Sequence, residues 1–154
     1  MKWITRERIR VNRTATCWLI QRFLDSEAEL LFVPAEEVAT EQAVQGAISF
    51  DAPNATYPHK DIEGLCSFAA LVHERLSADP VLMEMARIVQ AADFKDQLDT
   101  HQAARGLELI SRGFPRVTKN DQETAKRAAF LYDALYASIA EDRTNQEGSG
   151  GRRK

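Results

Sequence analysis

The sequence has only two cysteines, Cys17 and Cys66, far apart and in no CxxC arrangement. That leaves no disulfide framework and no paired-thiol metal motif, and in a reducing compartment it favours free thiols. Its seven glycines form no phosphate-cradling loop, and neither a nucleophile elbow nor an HExxH helix occurs, so local signatures assign no reaction class. No apolar run approaches the length of a transmembrane helix, and the first residues are polar and aromatic where a signal peptide needs a continuous apolar stretch. A cytoplasmic location, away from membranes, is the expectation. An excess of charge is missing too: 20 Lys and Arg stand against 23 Asp and Glu, a formal net charge of −3. The whole-molecule field therefore offers no general attraction to nucleic acid or to an anionic surface. Without a recognisable helix-turn-helix, direct nucleic-acid binding is not expected of this chain alone. Any anion site must be local.

What is present fits one domain. At 154 residues, 44% of them hydrophobic, the chain can bury one sizeable core but not two. The pattern predicts an α+β fold, with a small three-stranded sheet in the N-terminal third and a predominantly helical C-terminal two thirds. The domain is expected to span 1–142, with 143–154 a flexible basic tail.

The local signals run in order. Trp3 to Thr5 reads as a strand, and Asn12 as the N-cap of a helix reaching Leu24 with Ala15, Leu19 and Phe23 as its buried stripe. Glu29 to Val33 is an apolar strand ended by Pro34, which opens a helix carrying Glu36 and Glu37 near its positive end and stopped by Gly46. Ala47 to Phe50 reads as a third strand. Residues 51–65 lack periodicity and carry Tyr57, His59 and Asp61, as a binding loop or lid would. A helix starts at Cys66-Ser67-Phe68, with Phe68, Leu71, Val72 and Leu76 as its apolar side. Asp79-Pro80 starts another, with Leu82, Met85, Ile88 and Val89 on one stripe, ending near Asp93. A further helix uses Ala103, Leu107 and Ile110 and is expected to end at Gly113-Phe114-Pro115. Thr118 to Asp121 has capping-box spacing, and Ala128, Leu131, Leu135 and Ile139 form the last stripe.

Several blocks taken together resemble a known family. They are Trp3-Ile4-Thr5-Arg6, the run Asn12 to Asp25, Phe50-Asp51, His59, Cys66-Ser67-Phe68, Asp93 and Asp133-Ala134-Leu135-Tyr136. In this order they are similar to the ChrB-type chromate-resistance domain over nearly the whole chain. The resemblance implies a domain that forms the C-terminal half of chromate-responsive regulators and that also occurs alone or beside a rhodanese-like domain. The stand-alone form is the expectation here, without direct transcriptional control. The family position matching Asn12 is commonly Asp. The family cysteine matches Thr16 and its following proline matches Cys17, so Cys17 is not expected to be a functional thiol.

Two readings of the chemistry remain open. In the first, a tetrahedral dianion such as chromate or sulfate sits at the start of the first helix, where free amides and the dipole favour negative charge and Arg13 adds forked donors. Arg6, Asn12, Arg13, Trp18 and Arg22 are the candidate ligand-binding residues, with Arg8 and Arg10 able to complete the cage. Alternatively these arginines pair with Glu7, Asp25 and Glu27 or lie solvated, and Trp18 is core. In the second reading, Asp51, His59, Cys66 and Asp93 hold a divalent transition metal, with His73 a weaker candidate, and the chain is a metal-dependent enzyme. Against it, His59 reads as a loop residue and Cys66 as a small buried hydrophobe, unless Cys66 is exposed at a helix N-terminus and its thiol pKa falls. Both readings use one pocket, between the first helix and the 51–66 segment. A third makes the chain a protein-interaction or DNA-linked regulatory module.

Overall fold

The first strand is buried on both faces, which only a central strand with helices above and below requires. Trp3, Ile4 and Thr5 are all buried in β1 (Lys2–Arg6). In the computed structural model, which describes the backbone of residues 1–152 and the side chains of 1–148, β1 is flanked by β2 (Glu29–Val33) and β3 (Ile48–Ser49). The three-stranded sheet is parallel throughout, in the order β2-β1-β3, with Trp3 opposite Leu30 and Ile48, and Ile4 opposite Leu31 and Ser49.

This order puts helices on both faces. The chain leaves β1 through α1 (Val11–Leu19) to reach β2 on one side, then returns through α2 (Val38–Gln45) to β3 on the other. Right-handed crossovers in opposite directions must lie on opposite faces of the sheet. Trp3 joins α1 in the main core, against which Leu30, Phe32 and Ile48 also pack. Ile4 joins Val38, Ala47 and Ala52, with Leu31 and Val33, in a smaller cluster under α2. Single-residue alternation along β1 thus divides the core in two.

The main core is completed by α3 (Ser67–Arg75), α4 (Pro80–Asp93), α5 (Ala104–Val117) and α6 (Asp121–Arg152), which pack around α1. The helical stops and starts follow local chemistry. Gly46 closes α2 in the left-handed region at φ 62°. Asp79 opens α4 by accepting from the amides of Val81 and Leu82 at 2.9 and 3.2 Å, with Pro80 at the first helical position.

Other expectations change. The first helix is capped by Arg10, not Asn12, and Asn12 lies buried inside its first turn. There it serves a different helix: its Oδ1 accepts from the Phe68 amide at 3.2 Å and its Nδ2 donates to Ser67 Oγ at 2.8 Å, at the start of α3. Nor does α1 bury a single stripe. Val11, Asn12 and all of Thr14 to Leu19 are buried, because the sheet and several helices surround it. Its hydroxyls are internally satisfied, Thr16 Oγ1 donating to the Asn12 carbonyl at 2.7 Å and Thr14 Oγ1 lying 2.6 Å from Tyr132 Oη. The helix does reach Leu24, but its last stretch, Ile20–Leu24, is a π-turn marked by the Asp25 amide bonding to the Ile20 carbonyl at 2.7 Å.

Gly113-Phe114-Pro115 does not end α5, which continues to Val117. A proline so near the end removes only one helical hydrogen bond. Ile110, expected on the buried stripe, is 52% exposed, while Ala104, Leu107 and Ser111 face inward. The cap of α6 is Asn120, whose Oδ1 accepts from the Glu123 amide at 2.9 Å, so the capping signal sits later than Thr118. The tail expected from 143 onward continues α6 to Arg152, with side chains exposed through Gly148. Glu141, Arg143, Gln146 and Glu147 are good helix formers, which lets the helix run past 142. The part of that expectation falling on 153–154 lies outside the described residues.

Candidate functional site

In an open parallel sheet, the crevice outside the carboxyl ends of the strands, where successive connections diverge to opposite faces, is the usual ligand site. Here that place lies between β1 and β3. A cavity of about 350 Å3 opens there, lined by Arg6, Arg8, Arg10, Asn12, Arg13, Asp51 and Asp93. Arg6 ends β1, Arg8 and Arg10 lie on the link to α1, and Asn12 and Arg13 form its first turn. Asp51 follows β3 and Asp93 closes α4.

Asp51 is the hub, with its side chain only 3% exposed. Arg6 Nε donates to its carbonyl at 2.7 Å, and Arg6 Nη2 approaches its Oδ1 at 3.4 Å. Arg13 Nη1 donates to Oδ2 at 3.3 Å, while Arg13 Nη2 donates to the Arg8 carbonyl at 3.0 Å. His59 Nδ1 lies 2.9 Å from Asp51 Oδ1. A carboxylate only accepts, so Nδ1 carries the proton in this pair. The backbone is left-handed at Asp51 (φ 47°) and at Arg8 (φ 65°), conformations that non-glycine residues adopt only when their surroundings enforce them.

The ionisation of the cluster follows from burial and pairing. Burial by itself would raise the Asp51 carboxyl, but the His59 hydrogen bond and the Arg13 and Arg6 charges outweigh it and hold the pKa below its ordinary value. The hydrogen bond to Asp51 raises His59 against the opposing effect of burial. Asp93 goes the other way: burial and then the Asp51 charge lift its carboxyl to about 6. Burial also lowers the Arg13 guanidinium, despite the attraction of Asp51. Among the described residues, Asp93 Oδ2 and Arg13 Nε are buried without a hydrogen-bond partner.

The candidate residues thus fall into two places. Arg6, Asn12 and Arg13 line the cavity together with Asp51 and Asp93, and His59 joins through Asp51. Trp18 and Arg22 do not belong to it. Trp18 Nε1 donates to Asp133 Oδ1 at 2.9 Å, Arg22 Nε meets the same oxygen at 3.3 Å, and Trp18 packs edge-on to Phe23 and tilted against Tyr132 and Tyr136. Trp18 lies well over a turn of helix beyond Asn12, so the two ends of α1 serve different neighbours. His73 is exposed on α3 beside Glu74 and does not line the cavity of Arg6, Arg8, Arg10 and Arg13.

Cys66, at the N-cap of α3, is fully buried and burial pushes its thiol up to about 12, the opposite of an activated thiolate. Cys17 is buried and raised for the same reason. Among the described residues no three His, Cys, Asp or Glu side chains are grouped so as to hold a metal ion. One residue that holds the backbone beside the cavity, without lining it, escaped the sequence reading: Asp121, whose carboxylate accepts from the amides of Arg8 and Ile9. Its only sequence signal was a place in a helix's first turn.

Residues 3–139 match the family model described as ChrB, C-terminal domain. The chain belongs to that family. This ChrB-family domain is also 29% identical over 143 residues to Protein ChrB of Cupriavidus metallidurans, an alignment covering 92% of this chain and 42% of that protein. It therefore spans well under half the length of this curated relative. No solved structure matches significantly. Among the described residues, no helix is long and apolar enough to cross a membrane.

Proposed function

We propose that this ChrB-family domain binds a tetrahedral oxyanion of the chromate or sulfate kind at the carboxyl edge of β1 and β3, and that it serves chromate resistance or response through that binding. One observation carries the reading: Arg6, Arg8, Arg10 and Arg13 converge on a single cavity at the start of α1, which among the described residues receives no side-chain cap. Guanidinium forks match oxyanion geometry, and an uncapped helix start offers amides and a positive dipole end. Arg6 and Arg13 are partly engaged by Asp51, so the exposed Arg8 and Arg10 supply the uncommitted charge.

The metal-dependent alternative has one observation in its favour, the closeness of Asp51, His59 and Asp93, with His59 Nδ1 also 3.6 Å from Asp93 Oδ2. It is weaker, because Asp51 is already shared by two arginines and the histidine and Cys66 is a buried thiol.

Calorimetric titration of the purified domain with chromate and with sulfate tests the proposal. Saturable uptake is expected, weakened about tenfold or more by Arg8→Ala or Arg10→Ala and unchanged by Arg22→Ala. No uptake of either anion, or equal losses at all three positions, would sink it.

A further inference from the structure

The segment that carries Arg8 and Arg10 has no regular structure of its own, since β1 ends at Arg6 and α1 starts at Val11. Its conformation is held from the far end of the chain. Asp121 Oδ1 accepts from the amides of Arg8 and Ile9, each at 3.0 Å, and Oδ2 accepts from the Arg8 amide at 3.1 Å. Arg8 and Asp121 are 113 residues apart. Consecutive amides turned toward one anion form a nest, and here the carboxylate offsets the left-handed backbone of Arg8.

The neighbouring atoms fit this role. Arg13 Nη2 holds the Arg8 carbonyl, and Ile9 is buried in the main core, so the segment is fixed on three sides. Helix α6 does not need Asp121 to begin, because Asn120 supplies its cap.

We infer that Asp121 is the positioning residue of the anion site: its carboxylate sets the Arg8–Ile9 backbone so that the Arg8 and Arg10 side chains face the cavity. This rests on the oxyanion reading above. The claim runs against simple electrostatics. Asp121 is a negative charge beside an arginine-lined cavity, so by charge alone its removal would tighten anion binding. A positioning role gives the opposite sign.

The test is calorimetric titration of the whole domain with sodium sulfate, for wild type, Asp121→Ala, Asp121→Asn and Asp121→Glu, with amide hydrogen exchange across residues 6–11. Asp121→Ala is expected to lower sulfate affinity about tenfold or more and to speed exchange at Arg8 and Ile9. Asp121→Asn keeps an acceptor oxygen and is expected to stay within about threefold of wild type. Should the alanine variant fail to fold, Asp121→Glu carries the test: it keeps the charge but moves it by one methylene, and weaker binding is expected. Wild-type affinity in the folded alanine variant, or in the glutamate variant, overturns the inference, as does unchanged exchange at Arg8 and Ile9. A wild-type domain that takes up no sulfate overturns the oxyanion reading and this inference with it. Uptake by wild type with an unaltered Asp121→Ala overturns this inference alone.

Discussion

Nδ1 of His59 donates to Asp51 Oδ1 at 2.9 Å, and the same nitrogen is 3.6 Å from Asp93 Oδ2. One imidazole therefore stands between two carboxyls brought from different elements, the end of β3 and the end of α4. Their environments push the two acids apart, Asp51 below the ordinary carboxylate range and Asp93 up to about 6.

Asp93 is expected to lower the stability of the domain above its pKa. Its folded pKa of about 6 lies above the unfolded value of about 3.9, so the folded state holds this proton more tightly. That contribution is fully present below about pH 4 and is lost as pH rises through about 6. The shift, in which the lowering by His59 is already included, corresponds to at most about 3 kcal/mol. Asp93→Asn, which has no charged form, is expected to raise Tm relative to wild type at about pH 8 and to change it little at about pH 4. Thermal melts at both pH values check this, and an equal shift at both would contradict it.

The same acid is expected to give sulfate binding a pH dependence. Protonation of Asp93 removes a negative charge from the arginine-lined cavity, so affinity should rise several-fold as pH falls through about 6. Titrations on either side of that value read the change, which Asp93→Asn should flatten. A wild-type affinity that is constant with pH would exclude the effect.

Asn12→Ala is expected to destabilise the fold by about 2–4 kcal/mol. It leaves the Phe68 amide and the Ser67 hydroxyl without their partner and opens a small buried gap between α1 and α3. Asn12→Asp keeps an acceptor for both groups and should lose less. Urea unfolding of the two variants checks the order, and equal losses would contradict it.

At the other end of α1, Asp133→Ala should cost about 1 kcal/mol, because the Trp18 indole loses its acceptor. Arg22→Ala removes an exposed ion pair and a long contact over the Phe23 ring and should cost less, about 0.5 kcal/mol. Denaturant melts of the two variants separate them. A larger loss in the arginine variant would show that Arg22 does more than pair with Asp133.

Both thiols are expected to resist alkylation in the folded protein. Cys17 and Cys66 are buried, and burial raises each thiol pKa, Cys66 to about 12. Mass spectrometry after iodoacetamide treatment at about pH 8 should find label only once denaturant is present. Labelling of native Cys66 would return it to the list of reactive groups.

The elements were legible where the signal is local. Pro34 opens the 3-10 turn Ala35–Glu37 that leads into α2, Gly46 closes α2, and Asp79-Pro80 opens α4, because caps and fixed φ angles act within a single turn. Asn12 misled for the same reason. Its side chain can cap whichever free amide lies nearest, and only packing decides that the amide belongs to Phe68 rather than to its own helix. Trp18 and Arg22 share a helix with Arg13, which in the sequence groups them with it, yet Asp133 draws them to α6.

By itself the sequence determined the order of strands and helices and the presence of a cationic block at the chain's start, since each is written in short-range pattern, and it determined the family through blocks spread over nearly the whole chain. The tertiary structure decided which of those cations meet. A parallel sheet in the order β2-β1-β3 brings Asp51 beside Arg6, and the docking of α4 and α6 adds Asp93 to the cavity and Asp121 to the Arg8 backbone. Those partners are 45 and 113 residues distant, and no local periodicity records a contact made only when separate elements pack.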